Sequence, residues 1–260
     1  MNGSPPIKIG VGLTLVCVLL LGVGCGDSKG GAQEAIVFAA ASLKPALTEV
    51  GSLFESDVGG SVLVSTGGSQ SLARQIAAGA PADVFIPAGE APVEFLTAEG
   101  VEFDDVVRLF GNRLVIVAKE GAPMPKSVAD LTEDVFERVA IADPALAPAG
   151  AYARQALEGE GVWDAIRGKS VIGSDVRVTM AYVQSGNADA AMVYATDALV
   201  ADGLVVNDVV ASDSHAAVVY PAVILASSQS VDTARRFVEY LRLPKAGEVF
   251  AKFGFIPLAP

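Results

Sequence analysis

The sequence predicts an α/β protein built as two lobes, and three observations carry that reading. From residue 34 onward, short runs rich in Val, Ile and Ala alternate with amphipathic helical stretches. The chain has 260 residues, long for a single sheet of this kind and enough for two buried cores. No internal repeat or low-complexity array follows the Gly-rich stretch around Lys29 to Gly31. Parallel strands need crossover connections, so strand and helix alternation implies parallel sheet covered on both faces.

The elements can be justified in chain order. Between Lys8 and Asp27 there is no charge, and IGVGLTLVCVLLLGVGCG is a positively flanked apolar stretch ending in small residues, the pattern of an export signal over residues 1–24. Its eighteen uncharged residues also sit at the lower limit of about 17–25 needed to span a bilayer as an uncleaved anchor. Either way the globular part faces outward. Both cysteines, Cys17 and Cys25, lie in this region, which excludes a disulfide framework or thiolate metal site from the rest. A flexible linker over 25–33 follows.

Nine runs then read as strands: 35–39, 61–66, 82–88, 113–118, 138–142, 170–173, 190–194, 204–210 and 217–226. Four helix starts fall just past strand ends. Ser42 heads LKPALTEVGSLF and Ser69 follows Gly67 and Gly68, each a hydroxyl where an N-cap belongs. Pro148–Gly150 heads AYARQALEG, and Ser174–Arg177 heads VTMAYVQSG. In open α/β sheets ligands bind at the carboxyl edge of the strands, and helix N-termini there offer free N–H groups and partial positive charge. Together they imply an anion site.

Each residue also has a structural reading. Ser42 and Ser69 could simply cap their helices, Gly67 and Gly68 could serve a turn, and Tyr194 could be a core aromatic. The single His215 reads as a surface residue, and Arg177 as positioning or surface. A formal charge of −12, or −13 once residues 1–24 and Lys8 are removed, is the wrong sign for binding nucleic acid over a broad surface.

The segments FAAASL (38–43), GGSQSLARQIAAGAPADVFI (67–86), GNRLVIVA (111–118), DPALAPAGAYARQAL (143–157), DVR (175–177), AAMVYATDA (190–198), DSH (213–215), YPAVIL (220–225) and AKFGF (251–255) closely resemble the molybdate-binding proteins of bacterial ABC importers. The resemblance covers nearly all of residues 34–256. It implies a bilobed type II periplasmic-binding-protein fold, two mixed-sheet α/β lobes joined by two crossover strands, with lobe I from 34–111 and about 220–260 and lobe II from 112–219. It also implies that Ser42, Ser69, Ala149, Val176 and Tyr194 hold the molybdate oxyanion, molybdenum being bound only through them and no resident cofactor being needed. The partners implied are molybdate or tungstate and a membrane permease, for a monomeric protein outside the cytoplasm. LGVGC resembles the lipobox of bacterial lipoproteins, with Leu21 four rather than three places before the cysteine, and implies a lipid anchor on Cys25.

The physics of such a site is independent of the family. Neutral N–H and O–H donors leave a dianion uncancelled by Lys or Arg, so release breaks no ion pair. A pocket of donors alone has no acceptor for the proton of hydrogen phosphate. Sulfate, a full dianion, is separated only by size. Rival readings are a sulfate or ferric-ion binder of similar fold and, from another class, a serine hydrolase. A hydrolase needs a base near Ser69, yet there is no S-x-x-K and only one histidine. Ferric iron wants clustered tyrosines, whereas Tyr152, Tyr182 and Tyr194 are scattered in sequence.

Overall fold

The computed structural model describes residues 1, 3, 34–207 and 210–258. The export signal, the linker and Cys25 lie outside the described residues.

The first lobe opens with β1 (Ala35–Ala40), a 3-10 turn at Ala41–Leu43 and α1 (Lys44–Val58), then β2 (Val62–Gly67), α2 (Ser69–Ala77), β3 (Val84–Ile86) and α3 (Ala91–Ala98). β4 (Phe103–Asn112) runs out of this lobe and β5 (Leu114–Lys119) opens the second. There follow β6 (Val139–Ala142), α4 (Pro148–Gly159), α5 (Trp163–Arg167), β7 (Ser170–Gly173), α6 (Val176–Gln184), β8 (Ala190–Tyr194), α7 (Ala195–Leu199) and β9 (Leu204–Asn207). β10 (Val218–Leu225) returns to the first lobe, which α8 (Val231–Leu241), α9 (Pro244–Lys252) and β11 (Ile256–Pro257) complete.

Two sheets result. One has the order β11-β4-β10-β3-β1-β2 and the other β7-β6-β8-β5-β9. Each keeps a parallel centre, β2-β1-β3 and β7-β6-β8, reached through helical crossovers as the strand–helix alternation predicts. Both sheets are mixed, as the resemblance implies, and the antiparallel pairs fall at the strands that link the lobes. β10 runs antiparallel to β3 and β4, and β5 antiparallel to β8 and β9. A chain that leaves one sheet and later returns must traverse it in opposite directions, and β4 and β10 pair side by side with Val218 opposite Asn112. The two-sheet, two-crossover α/β architecture is therefore as expected.

The central strands are buried on both faces, which is why they read as unbroken apolar runs; every residue of β6 and β8 is buried. α8 turns Phe237, Val238, Tyr240 and Leu241 inward, and Phe54 of α1 meets the rings of Phe237 and Tyr240 edge-on at 5.2 and 5.6 Å. Asp83, buried at the foot of β3, accepts N–H bonds from Ile36 (2.7 Å), Gln229 (2.9 Å) and Ser230 (3.1 Å), and the Ser228 hydroxyl at 2.6 Å. One carboxylate thus fastens the C-terminal segment to the first strand of the chain. Among the described residues, no helix is long and apolar enough to cross a membrane.

Candidate functional site

Ser42, Ser69, Ala149, Val176 and Tyr194 line one small hollow between the two sheets, together with Ala40, Ala41, Gly67, Gly68, Ala88, Ala147, Pro148 and Asp175. Its empty space is about 200 Å3 including the mouth, and about 10 Å3 admits the centre of a water-sized sphere. Organic ligands occupy roughly 300–1,000 Å3, so the hollow suits a compact ion. A larger concavity, about 1150 Å3, lies elsewhere, over α3, β4 and α9. Its Glu90 and Arg108 pair with each other.

The local sequence explains the geometry. β1, β2 and β8 each end at the hollow, and after β1 and β2 the turn or helix that follows presents its first residues to it. Ala149 and Val176 stand in the first turns of α4 and α6, where backbone N–H groups have no intrahelical acceptor. Pro148 occupies the first helical position, where a missing N–H costs nothing. Gly150 is required because a Cβ there would lie 2.0 Å from the Ala142 carbonyl. The Asp175 carboxylate is turned onto α6 as its N-cap, accepting from Arg177 N at 2.8 Å and Val178 N at 3.0 Å.

The capping reading of the serines is corrected. Ser42 lies within the 3-10 turn ahead of α1, Ser69 is already the first residue of α2, and neither hydroxyl makes a cap bond. Ser69 Oγ accepts from Ala88 N at 3.0 Å, and Ser42 Oγ lies 3.0 Å from the Tyr220 hydroxyl. Tyr194 is 1% exposed and its hydroxyl has no hydrogen-bond partner among the described residues. Burial, with the neighbouring Tyr220, Tyr152 and Asp197 adding to it, holds that phenol well above its ordinary pKa, so it stays a donor. An unpartnered buried hydroxyl costs about 1–3 kcal/mol, which a bound acceptor would recover.

Among the described residues, no Lys, Arg or His lines the hollow. Arg177, the nearest candidate cation, instead reaches Asp197 Oδ1 at 3.5 Å. His215 is half-buried, bonds the Ala216 carbonyl and packs on Tyr152, and it is not among the residues that line the hollow. Tyr194 and Tyr220 do come together, ring centres 6.2 Å apart, which their sequence spacing concealed. The Tyr220 hydroxyl is committed to Ser42 and Asn112, however, and no group of three His, Cys, Asp or Glu residues among those described could hold a metal ion. Tyr220, Asn112 and Asp197 were not singled out as functional from the sequence.

The fold and this donor-lined cleft define a solute-binding protein, and the chain belongs to the bacterial extracellular solute-binding protein family, whose model matches residues 35–256. It is 35% identical over 226 residues to the molybdate-binding protein ModA of Escherichia coli, covering 84% of this chain and 87% of that one. It is 34% identical over 256 residues, 95% and 98% of the two chains, to a Bacillus subtilis protein provisionally named ABC transporter substrate-binding lipoprotein YvgL. The solved periplasmic molybdate-binding protein of Azotobacter vinelandii superposes with a TM-score of 0.76 at 23% identity, over 86% of this chain and all of that one.

Proposed function

We propose that this protein binds molybdate, and tungstate with it, outside the cytoplasm and hands it to the membrane permease of an ABC importer as a monomer tethered by a lipid on Cys25. Ser42, Ser69 and Tyr194 supply hydroxyl donors, and Ala149 and Val176 supply backbone N–H donors. The observation that carries the reading is a small hollow lined by neutral donors, one of them the unpartnered Tyr194 hydroxyl, with no cationic side chain among the described residues that line it. The names of the E. coli and A. vinelandii relatives agree with it, and the name of the B. subtilis relative agrees with the lipid anchor.

About half a dozen charge-assisted hydrogen bonds at roughly 1.5–3 kcal/mol each give a gross gain of about 10–18 kcal/mol, against an association cost of about 4–15 kcal/mol. Micromolar to nanomolar binding follows. Asp175, the carboxylate among the described residues lining the hollow, is turned onto α6 as its N-cap and does not bond Ser42 or Ser69, so the nucleophile–base pair that hydrolysis needs is not formed there.

Calorimetric titration with molybdate, tungstate, sulfate and phosphate tests the reading. Tight one-to-one binding of the first two, weaker sulfate and no phosphate is expected; a preference for sulfate would transfer the protein to another oxyanion. Trp163 offers a second readout, since it lines a surface groove with Asp143–Ala145, the stretch leading to the α4 side of the cleft. Ser69→Ala should weaken molybdate binding by about one to a few kcal/mol with the fold intact, measured by the same calorimetry.

A further inference from the structure

A hydroxyl can donate or accept, so a site lined by hydroxyls excludes protonated anions only if something fixes which way each one points. The structure contains such a device behind Ser42. It begins at a backbone group: Arg113 N–H donates to Asn112 Oδ1 at 2.9 Å, which settles the orientation of the Asn112 amide. Asn112 Nδ2 carries two protons and uses both, donating to Thr196 Oγ1 at 2.8 Å and to the Tyr220 hydroxyl at 3.0 Å. The Tyr220 hydroxyl is fully buried, and among the described residues the one atom within its reach able to accept is Ser42 Oγ, at 3.0 Å. If Tyr220 accepted from Ser42 as well as from Asn112, its own proton would be buried without an acceptor, the costly arrangement. Tyr220 therefore donates to Ser42, and the Ser42 proton is left for the hollow.

We propose that Asn112 and Tyr220 form a polarity relay that locks Ser42 as a donor and so sets the specificity of the cleft for fully deprotonated oxyanions. The proposal rests on the oxyanion reading above and names its positioning residues. Ser69 is held in the same way, by the Ala88 N–H that its oxygen accepts, whereas the Tyr194 hydroxyl has no partner among the described residues and stands outside the relay. With Ser42 and Ser69 held as donors, the proton of hydrogen phosphate is disfavoured at both positions. The relay lies where the lobes meet, since Asn112 ends β4, Thr196 belongs to α7 of the second lobe and Tyr220 to the returning β10.

Tyr220→Phe keeps the ring and removes the one proton that holds Ser42. Ser42 can then accept from a ligand, so the variant should bind molybdate several-fold more weakly while the molybdate-to-phosphate affinity ratio, read by competition calorimetry at constant pH, falls about tenfold or more. A purely structural role would weaken all anions alike and leave the ratio alone. A ratio within about twofold of the unmodified protein, with the same thermal unfolding, overturns the relay. The double variant closes the test: in a Ser42→Ala background, Tyr220→Phe should not move the ratio further, and an undiminished effect there shows that Tyr220 does not act through Ser42. Absence of molybdate binding by the unmodified protein would instead sink the functional reading itself, so the two failures are separable.

Discussion

Tyr194 is the residue where stability and binding pull in opposite directions. Its hydroxyl is buried, is kept protonated by that burial, and has no partner among the described residues. Such a group is carried at a loss by the empty fold and recovers the loss only when an acceptor arrives. Tyr194→Phe should therefore leave thermal stability unchanged or raise it slightly, while lowering molybdate affinity by about 1.5–3 kcal/mol, roughly tenfold to a hundredfold. Paired melting curves and calorimetry check both signs. A variant that is destabilised with unchanged affinity would make the hydroxyl part of the core and not of the site. Ser42 and Ser69 differ from it in having their oxygens occupied by Tyr220 and Ala88, so removing either also strands a buried donor of the protein.

Among the elements, the start of α2 does most to hold the cleft shut. Gln70 N and Ser71 N donate to the Leu146 carbonyl at 3.0 and 3.2 Å, tying the first lobe to the loop before α4. Gly68, just ahead of the helix, leaves room for this contact: a Cβ there would lie 2.7 Å from the Leu146 carbonyl oxygen and 2.8 Å from that of Ser174, backbone atoms of two separate loops. Its φ of −63° and ψ of 125° are open to any residue, so Gly68→Ala should leave each lobe stable yet wedge the cleft. Expected are an at least tenfold weaker molybdate affinity and loss of ligand-induced compaction in small-angle scattering; normal compaction would show that the loops can give way. The glycine pair before Ser69 was legible in the sequence, but only as a turn, because its function is a contact with residues about eighty and more than a hundred positions away. All nine apolar runs carry strands because a run of Val, Ile and Ala is a local signal, strongest in β1, β3, β6 and β8, which are buried almost throughout. β4 left none: Asp104, Asp105 and Arg108 are exposed along it, and its outer neighbour β11 is two residues long. The Ser42–Tyr220 contact spans 178 positions, and no periodicity reports such a pairing.

The whole molecule carries a formal charge of −12 yet is built to receive an anion, which is consistent because solvent screens surface charge beyond about 8–10 Å while helix N-termini act at contact distance. One acid lies too deep for that screening. Asp197 is fully buried; one oxygen meets Arg177 at 3.5 Å and the other has no partner among the described residues. Burial pushes its pKa up to about 7, with Arg177 pulling it down and Asp175 pushing it up less strongly. The folded protein thus holds this proton more tightly than the unfolded chain, where the carboxyl titrates near 3.8. Below about pH 4 both states are protonated and the group favours neither. As pH rises from about 4 through about 7 the unfolded state ionises first, so stability falls across that window and levels off above it. Asp197→Asn cannot ionise and escapes the loss, so its melting temperature measured against that of the unmodified protein should climb from pH 4 to about pH 7 and level off above it. Every other titrating group is common to both proteins and cancels in the difference. Parallel melting curves across that range would mean that Arg177 keeps Asp197 ionised throughout, a fixed ion pair beneath the cleft.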